Sequence, residues 1–430
     1  MFLHASLMLI AIVGGFIIAK VALKLSIELS MLVAAIAGGV AHTGTLPVRH
    51  LVEGTFTYFD VCLIFITATF FMSILKENGG VAFMVRSIVT RFNKRNKICL
   101  LLLTLVLLIP GALTGAGAAT VLTVGALVGP VLLSMGVSEN RVVAIVFLCA
   151  AMSAAAPPVN LWAMMAAAGS NMPYVGFFLP LLVLSVSGAL FSMFFLAGRA
   201  KAPDLGEVLK KLPIPPEKMN WLRVGIPFLA FFGLVIAGRL WPYRMPVLGM
   251  PMMFVIAAIV AIMLSPKKLK ILEIASNTIR SLIPLVGIMV VVGVLIQVMA
   301  LNGSRGLVSL GVVVLPVWVL FATLFLILPL SEGMLQYAVA PLLGVPLVFL
   351  FNMKGFDAVI ALSAMAVMWP VGDALPPTAV VGRAAVIELG FKGHYYGDFV
   401  KTCLIPMGFI LLVATLFLIF SNSLSFLSIM

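Results

Sequence analysis

The sequence predicts an all-α integral membrane protein, and three observations carry that reading. Of its 430 residues, 63% are hydrophobic and only 10% are charged, against about 25% charged in an ordinary soluble domain. Apolar runs recur from end to end, Val224–Gly238 and Val247–Leu264 among them. Runs of about 20 such residues cross roughly 30 Å of hydrocarbon as helices. Glycine- and proline-rich interruptions recur at matched spacing in the two halves, which suits paired helix breaks rather than independent soluble domains.

The elements follow in order. His4–Ala19 is apolar but has neither a basic leader nor a small-residue cleavage site, so it reads as a first span rather than a signal peptide. A second span is expected near 25–43 and a third near 56–76. Val81–Lys97 reads as an amphipathic surface helix, with Val81, Met84, Val85, Ile88 and Val89 on one side and Arg86, Arg91, Lys94 and Arg95 elsewhere. Residues 98–134 are apolar but carry Pro110-Gly111-Ala112-Leu113-Thr114-Gly115-Ala116-Gly117 in the middle. That density of glycine after a proline disfavours one continuous helix and predicts a re-entrant hairpin. Residues 141–169 form the next crossing, broken at Pro157-Pro158, and Tyr174–Ala197 returns. Residues 201–222, rich in Pro and Lys, are the linker.

The net charge of +13 would suggest nucleic acid for a soluble protein. Here Lys and Arg sit in short loops, where they set orientation instead. With those loops in the cytoplasm, 21 of the 27 basic residues lie inside; Arg49, Arg239, Arg244, Arg305 and Lys354 lie outside, and Arg383 falls within a span. The N-terminus is then outside, in a multi-pass protein of the inner (cytoplasmic) membrane. The single cysteines Cys62, Cys99, Cys149 and Cys403 and the four histidines have no metal spacing, so no transition metal or other cofactor is expected. No phosphate loop ending in Gly-Lys-Ser/Thr and no nucleophile elbow is present, which argues against an enzyme.

The second half repeats the programme. Pro110 precedes Pro157 by 47 residues, and Pro329 precedes Pro376 by the same 47. Asn78-Gly79 before the first interruption has a counterpart in Asn302-Gly303. The chain therefore divides into residues 1–200 and 223–430, two inverted repeats joined by the linker. The second half contributes a hairpin at 313–350 and a broken helix at 357–388. Paired interruptions in inverted halves point to a transporter site at the bilayer midplane.

Gly111–Thr120, Gly129-Pro130, Met135-Gly136-Val137 and Ala155-Ala156-Pro157-Pro158 resemble the large permease of TRAP transporters, the DctM type. Ile74–Gly80 and Leu375-Pro376-Pro377 with Val380–Gly382 fit the same pattern. The resemblance implies an elevator-type secondary transporter with sodium coupling. It implies an organic anion substrate, such as a dicarboxylate or sugar acid, a small membrane subunit and a periplasmic solute-binding protein. A homo-oligomer in membrane lipid, with no nucleic acid, completes the expected company. The departures are Ala in place of most of the family's tip Ser, Val159-Asn160 where a Ser is common, and the acids Glu332 and Asp373. They leave the substrate and the coupling ion open.

Broken helices offer backbone carbonyls to a cation and amide N–H groups to an anion. The candidate sodium ligands are Gly111, Thr114, Gly115, Gly117, Ala156, Pro157 and Asn160 in the first half. Ser331, Glu332, Gly333, Gly372, Asp373 and Thr378 are their counterparts in the second. Thr114, Asn160, Thr378 and Arg383 are the candidate substrate contacts. Thr114 and Asn160 have a plainer reading as helix caps, and Glu332 as a shallow residue that meets water or as the partner of Arg383. Arg383 is open between a substrate carboxylate, an ion pair with Asp373 or Glu388, and snorkelling. A mid-membrane carboxylate costs about 2.5–3.5 kcal/mol, so two beside matched breaks suggest function. The competing readings are a cation/proton antiporter or anion exporter using Glu332 and Asp373, and a non-transporting scaffold subunit.

Overall fold

The computed structural model describes residues 2–241 and 243–428. The described residues are helical without a strand, as the unbroken apolar runs demand: with no water to satisfy N–H and C=O groups, a spanning chain must bond them internally. Among the described residues, nine helices are long and apolar enough to cross a membrane, by length and composition alone. Local sequence sets where they start. Asn220 accepts from the Arg223 N–H at 2.9 Å to open Trp221–Leu240. Asp357 accepts from Val359 and Ile360 at 2.9 and 3.0 Å to open Ala358–Met368.

The helices form two groups. In the first, Phe2–Ile17, Ile27–Thr43, Phe59–Glu77, Trp221–Leu240, Met250–Met263 and the long Ile271–Leu301 pack on one another. The second group holds the interrupted elements together with Phe178–Ala197 and Lys401–Ile419. Phe59–Glu77 against Asn96–Thr114, and Ile271–Leu301 against the turn at 336–344, are main contacts between the groups. Gly80–Phe92 is a helix whose face Val81, Met84, Val85, Ile88 and Val89 is buried against the rest of the protein, and it ends short of the expected Lys97.

The first hairpin consists of Asn96–Thr114, a turn at Gly115 and Ala116, and a return arm through Gly117–Thr120, a wide turn Val121–Gly125 and Ala126–Ser134. The helix runs on through Pro110 and Gly111, so the non-helical tip is shorter than the glycine content suggests. Both ends of the hairpin meet the linker at adjacent residues: Asn96 donates to the Ala200 carbonyl at 3.0 Å, and the Lys201 N–H donates to the Met135 carbonyl at 2.8 Å.

The second hairpin runs from Val317–Leu335 through Gln336–Ala338 and Ala340–Gly344 to Val345–Met353, a few residues later than 313–350. Its turn is at Gln336, so Ser331, Glu332 and Gly333 lie in the end of the first arm rather than in the tip. Glu139–Ala155 and Leu161–Gly169 are the halves of the first broken helix. Ala358–Met368 with the tight turn Trp369–Ala374, then Val380–Glu388, make up the second.

Boundaries recur with one offset. Ser134 and Met353 end the return arms, Val121 and Ala340 open the wide turns, Ala155 and Ala374 end the helices before the breaks, and Leu161 and Val380 restart them; each pair is 219 residues apart. The Asn-Gly turns also act alike: Asn78 Oδ1 accepts from the Gly80 N–H at 2.8 Å and Asn302 Oδ1 from the Ser304 N–H at 3.1 Å.

Close approach of hairpin to break requires glycine at one position in each half. A Cβ on Gly111 would meet the Ser153 hydroxyl and lie 2.7 Å from the Ala154 nitrogen; one on Gly372 would overlap the Pro329 backbone. Gly372→Ala should therefore cost about 1–3 kcal/mol or more, read as a lower thermal-unfolding midpoint in detergent. Gly225→Ala, where nothing lies within 4 Å, should leave the midpoint within error; equal midpoints for the two variants would refute the packing.

Candidate functional site

Each break is tied to its own hairpin. The Val159 N–H donates to the Ala112 carbonyl at 3.0 Å. In the second half the Thr378 N–H and hydroxyl both donate to the Gly333 carbonyl, at 3.1 and 2.8 Å. Asn160 spans the first break: its Nδ2 donates to the Ala155 carbonyl at 2.8 Å and its Oδ1 accepts from the Ala163 N–H at 2.9 Å. One side chain thus satisfies the end of one half-helix and the start of the next.

The hydroxyl of Thr114 donates to the Pro110 carbonyl at 2.8 Å and accepts from the Ala116 N–H at 3.2 Å, closing the helix end before Gly115. Both side chains are buried and act as caps, the plainer of their two readings. Gly115 adopts the left-handed conformation at φ +70°. Gly117 packs against Val381 of the opposite half. Ala156 and Pro157 are buried in the first break, whereas Pro376 and Pro377 are exposed in the second.

Two hydroxyls that the sequence reading passed over hold the first half together. Ser153 Oγ donates to the Leu108 carbonyl at 2.7 Å and lies 2.8 Å from Thr120 Oγ1. Both oxygens lie within reach of the Gly111 N–H, at 2.8 and 2.9 Å. Their signal was polarity alone, in segments that are otherwise small and apolar.

The halves meet at Glu332. Its side chain is fully buried, and its Oε2 accepts from Trp162 Nε1 at 2.7 Å. Trp162 belongs to the first half, two residues past Asn160. Its ring centroid lies 4.6 Å from that of Tyr337 in the turn of the second hairpin, and Tyr337 donates to the Gly115 carbonyl at 3.4 Å. The four residues form a chain from one hairpin tip to the other. Glu332 Oε1 has no hydrogen-bond partner among the described residues. Asp373, 4% exposed in the turn before the second break, also accepts no hydrogen bond from a described residue, and it lies within electrostatic reach of Glu332. Trp162 and Tyr337 were missed by the sequence reading, though a tryptophan far from either interface needs a buried acceptor for its N–H.

Neither plainer alternative for Glu332 holds: it is fully buried away from solvent and does not pair with Arg383. Arg383 is exposed, donates to the Pro377 carbonyl at 3.2 Å, and forms no ion pair with Asp373 or Glu388. Tyr395 donates to the Ala374 carbonyl at 3.0 Å and so seals the helix end beside Asp373. The Ser331 hydroxyl donates back to the Leu328 carbonyl at 2.7 Å within its own helix.

The site therefore gathers two acids with unfilled acceptor capacity, the Gly115 carbonyl at one tip, and an indole donor. Such a set can hold a proton or a cation rich in oxygen ligands. Trp162→Phe keeps the ring and removes the donor, leaving Glu332 with neither oxygen partnered. Against Glu332→Leu, which removes the acceptor, thermal unfolding in a double-mutant cycle should give a coupling on the order of 1–3 kcal/mol. Additive effects would mean that the bond does not join the halves.

Residues 2–187 match the family described as the tripartite ATP-independent periplasmic transporter, DctM component, which bears out the resemblance drawn from the first-half motifs. No curated protein sequence matches the chain. A number of solved structures share its fold, two of them as follows. MtrF of Neisseria gonorrhoeae, described with a class of antimetabolite efflux pumps, has a TM-score of 0.66 at 12% identity, covering 91% of this chain and 94% of that one. The Alcanivorax borkumensis YdaH transporter, described as having an unusual topology, has a TM-score of 0.61 at 15% identity, covering 87% of this chain and 88% of that one. At such identities the likeness is one of fold. Together with the family match it supports a multi-pass membrane transporter rather than an enzyme.

Proposed function

We propose that this chain, DctM-like over residues 2–187, is an ion-coupled secondary transporter that imports a small organic anion, with Glu332 and Asp373 holding the coupling ion. The observation that carries the reading is the meeting of the two interrupted halves at one buried acid with an unpartnered oxygen. A carboxylate so placed is costly in a membrane and would be selected against if it did nothing.

The matched breaks support a pair of inverted repeats, 1–200 and 223–430, around the linker. The meeting of both ends of the first hairpin with residues 200 and 201 supports a re-entrant hairpin whose mouth faces the linker side. The grouping of hairpins and breaks apart from the long helices supports an elevator-type motion. By the distribution of basic loops, the linker side is cytoplasmic and the N-terminus outside. The family match supports a small membrane subunit and a periplasmic solute-binding protein as partners.

Sodium is the coupling ion of the first reading, with oxygen from Glu332, Asp373 and the Gly115 carbonyl; the Gly333 carbonyl, expected among the ligands, already accepts twice from Thr378. Arg383, beside Pro377 and exposed, is a candidate contact for a substrate carboxylate. The second reading, a proton-coupled antiporter or exporter, is favoured by the engagement of Thr114 and Asn160 as caps, which removes two expected sodium ligands and leaves the acids as the free groups. MtrF, a structural neighbour, is described among efflux pumps.

Sodium-22 binding to the purified protein, at constant ionic strength with choline as replacement, separates the two. Under the first reading binding saturates, and Asp373→Asn and Glu332→Gln each weaken it about 10- to 100-fold, as the loss of one charge-assisted contact implies. Thr114→Ala should lower stability and leave ion affinity nearly unchanged. Absence of binding across the neutral pH range would overturn sodium coupling in favour of proton carriage by the same two acids.

A further inference from the structure

Among the described residues, Trp221–Leu240 is the least buried of the membrane-length helices, with 17% of its most apolar stretch covered. It packs on Met250–Met263, where Phe231 stacks on Phe254 with ring centroids 4.2 Å apart. Toward the first break it leaves a gap. One cavity of about 300 Å³ runs from Trp221 to Phe228 and Phe232, against Ala112 and Leu113 of the first hairpin. Another of about 380 Å³ runs from Phe231 to Arg239, against the loop that precedes Phe178–Ala197. The two share Pro157, Pro158 and Phe232. The crevice therefore follows Trp221–Leu240 from one end to the other and passes the break midway.

Its walls are apolar apart from a tyrosine hydroxyl and one guanidinium. Tyr174 donates to the Pro158 carbonyl at 3.3 Å, and its ring stacks on Phe177 with centroids 4.9 Å apart, so that hydroxyl is taken. Arg239 lines the wider cavity and forms no ion pair among the described residues. It stands at the end of its helix away from the linker, where the basic-loop pattern leaves five basic residues, Arg244 also among them. A lone guanidinium at the mouth of an apolar slot is complementary to an anion that carries an apolar tail.

We propose that this crevice is a binding site for an anionic phospholipid, with the phosphate on Arg239 and one acyl chain laid along Trp221–Leu240 as far as the Pro157-Pro158 break. The volume selects the occupant. Each turn of a helix 10 Å across fills about 420 Å³, more than the wider cavity offers over the two turns from Phe231 to Arg239. A partner's spanning helix does not fit there, whereas a single acyl chain does. Arginine matches phosphate bidentately, and basic groups at the membrane surface favour anionic lipid. The lipid lies between the long helices and the interrupted group, so a displacement of one group against the other would have to move it.

Delipidated protein in detergent would be titrated with phosphatidylglycerol or with phosphatidylcholine of identical chains, and bound lipid counted by native mass spectrometry. One phosphatidylglycerol should bind saturably, about fivefold tighter than phosphatidylcholine, as one arginine near the surface implies. Arg239→Gln should bring that preference close to one, whereas Arg244→Gln, on the same side but outside the crevice, should keep it. Val235→Trp fills the slot and should abolish saturable binding of both lipids; Leu229→Trp, on the exposed side of the same helix, should not. Equal affinity for the two lipids, equal loss of preference in the two arginine variants, or binding that survives Val235→Trp would overturn the site. Absence of any saturable lipid would also overturn it and leave the crevice to a protein partner. Glu332→Gln should leave lipid affinity unchanged, so the site stands or falls apart from the coupling-ion reading.

Discussion

The hydrogen bond from Trp162 to Glu332 is the constraint on which the rest of the site depends. An ionised or protonated acid in the interior is tolerated only with a partner, and here the partner comes from the other half of the chain. That single bond fixes how the first broken helix sits against the second hairpin. The Trp162–Tyr337 ring contact and the Tyr337–Gly115 bond extend it to the first tip. Fixing the tips in turn fixes the breaks, because each break is bonded to its own hairpin through Ala112 or Gly333. Under the proposed reading, an ion taken up at Glu332 or Asp373 changes the electrostatics at the joint of the two halves, where a transport cycle would need the coupling ion to act.

Interrupted helices in a membrane leave backbone groups that must find partners. This chain meets that demand with small polar side chains rather than with charge: Asn160 across the first break, Thr378 at the second, Thr114 before Gly115, and Ser153 with Thr120 behind Gly111. Thr114 and Asn160, two residues first expected to hold an ion, are engaged by this work. What remains for an ion is the free acceptor capacity of the two acids. Under the proposed reading, function rests on fewer residues than the glycine-rich tips advertise.

Much of this was legible in sequence because it rests on period and spacing. Apolar run lengths gave the all-helical class. The matched 47-residue proline spacing anticipated the common offset of the breaks, and the stripe Val81–Val89 anticipated the one-sided helix Gly80–Phe92. The extent of the tips was not legible, since Pro110, Gly111 and Ser331–Gly333 stay helical when neighbouring elements fill the space around them. Nor was Trp162 as the partner of Glu332, a contact across 170 residues with no local pattern. Arg383 was the most conspicuous charge in a span, yet its side chain turns outward to the Pro377 carbonyl, a choice set by the exposed second break.

The central claim is that the joint of the two halves changes the side of the membrane from which it is reached. Thr378, half-buried beside the second break, is the position to report on it. Thr378→Cys would be labelled with a membrane-impermeant maleimide in right-side-out and inside-out vesicles. Labelling from both faces, at rates that shift in opposite directions when the coupling ion is added, is the result the account predicts. Labelling from one face alone under every ion condition would contradict it.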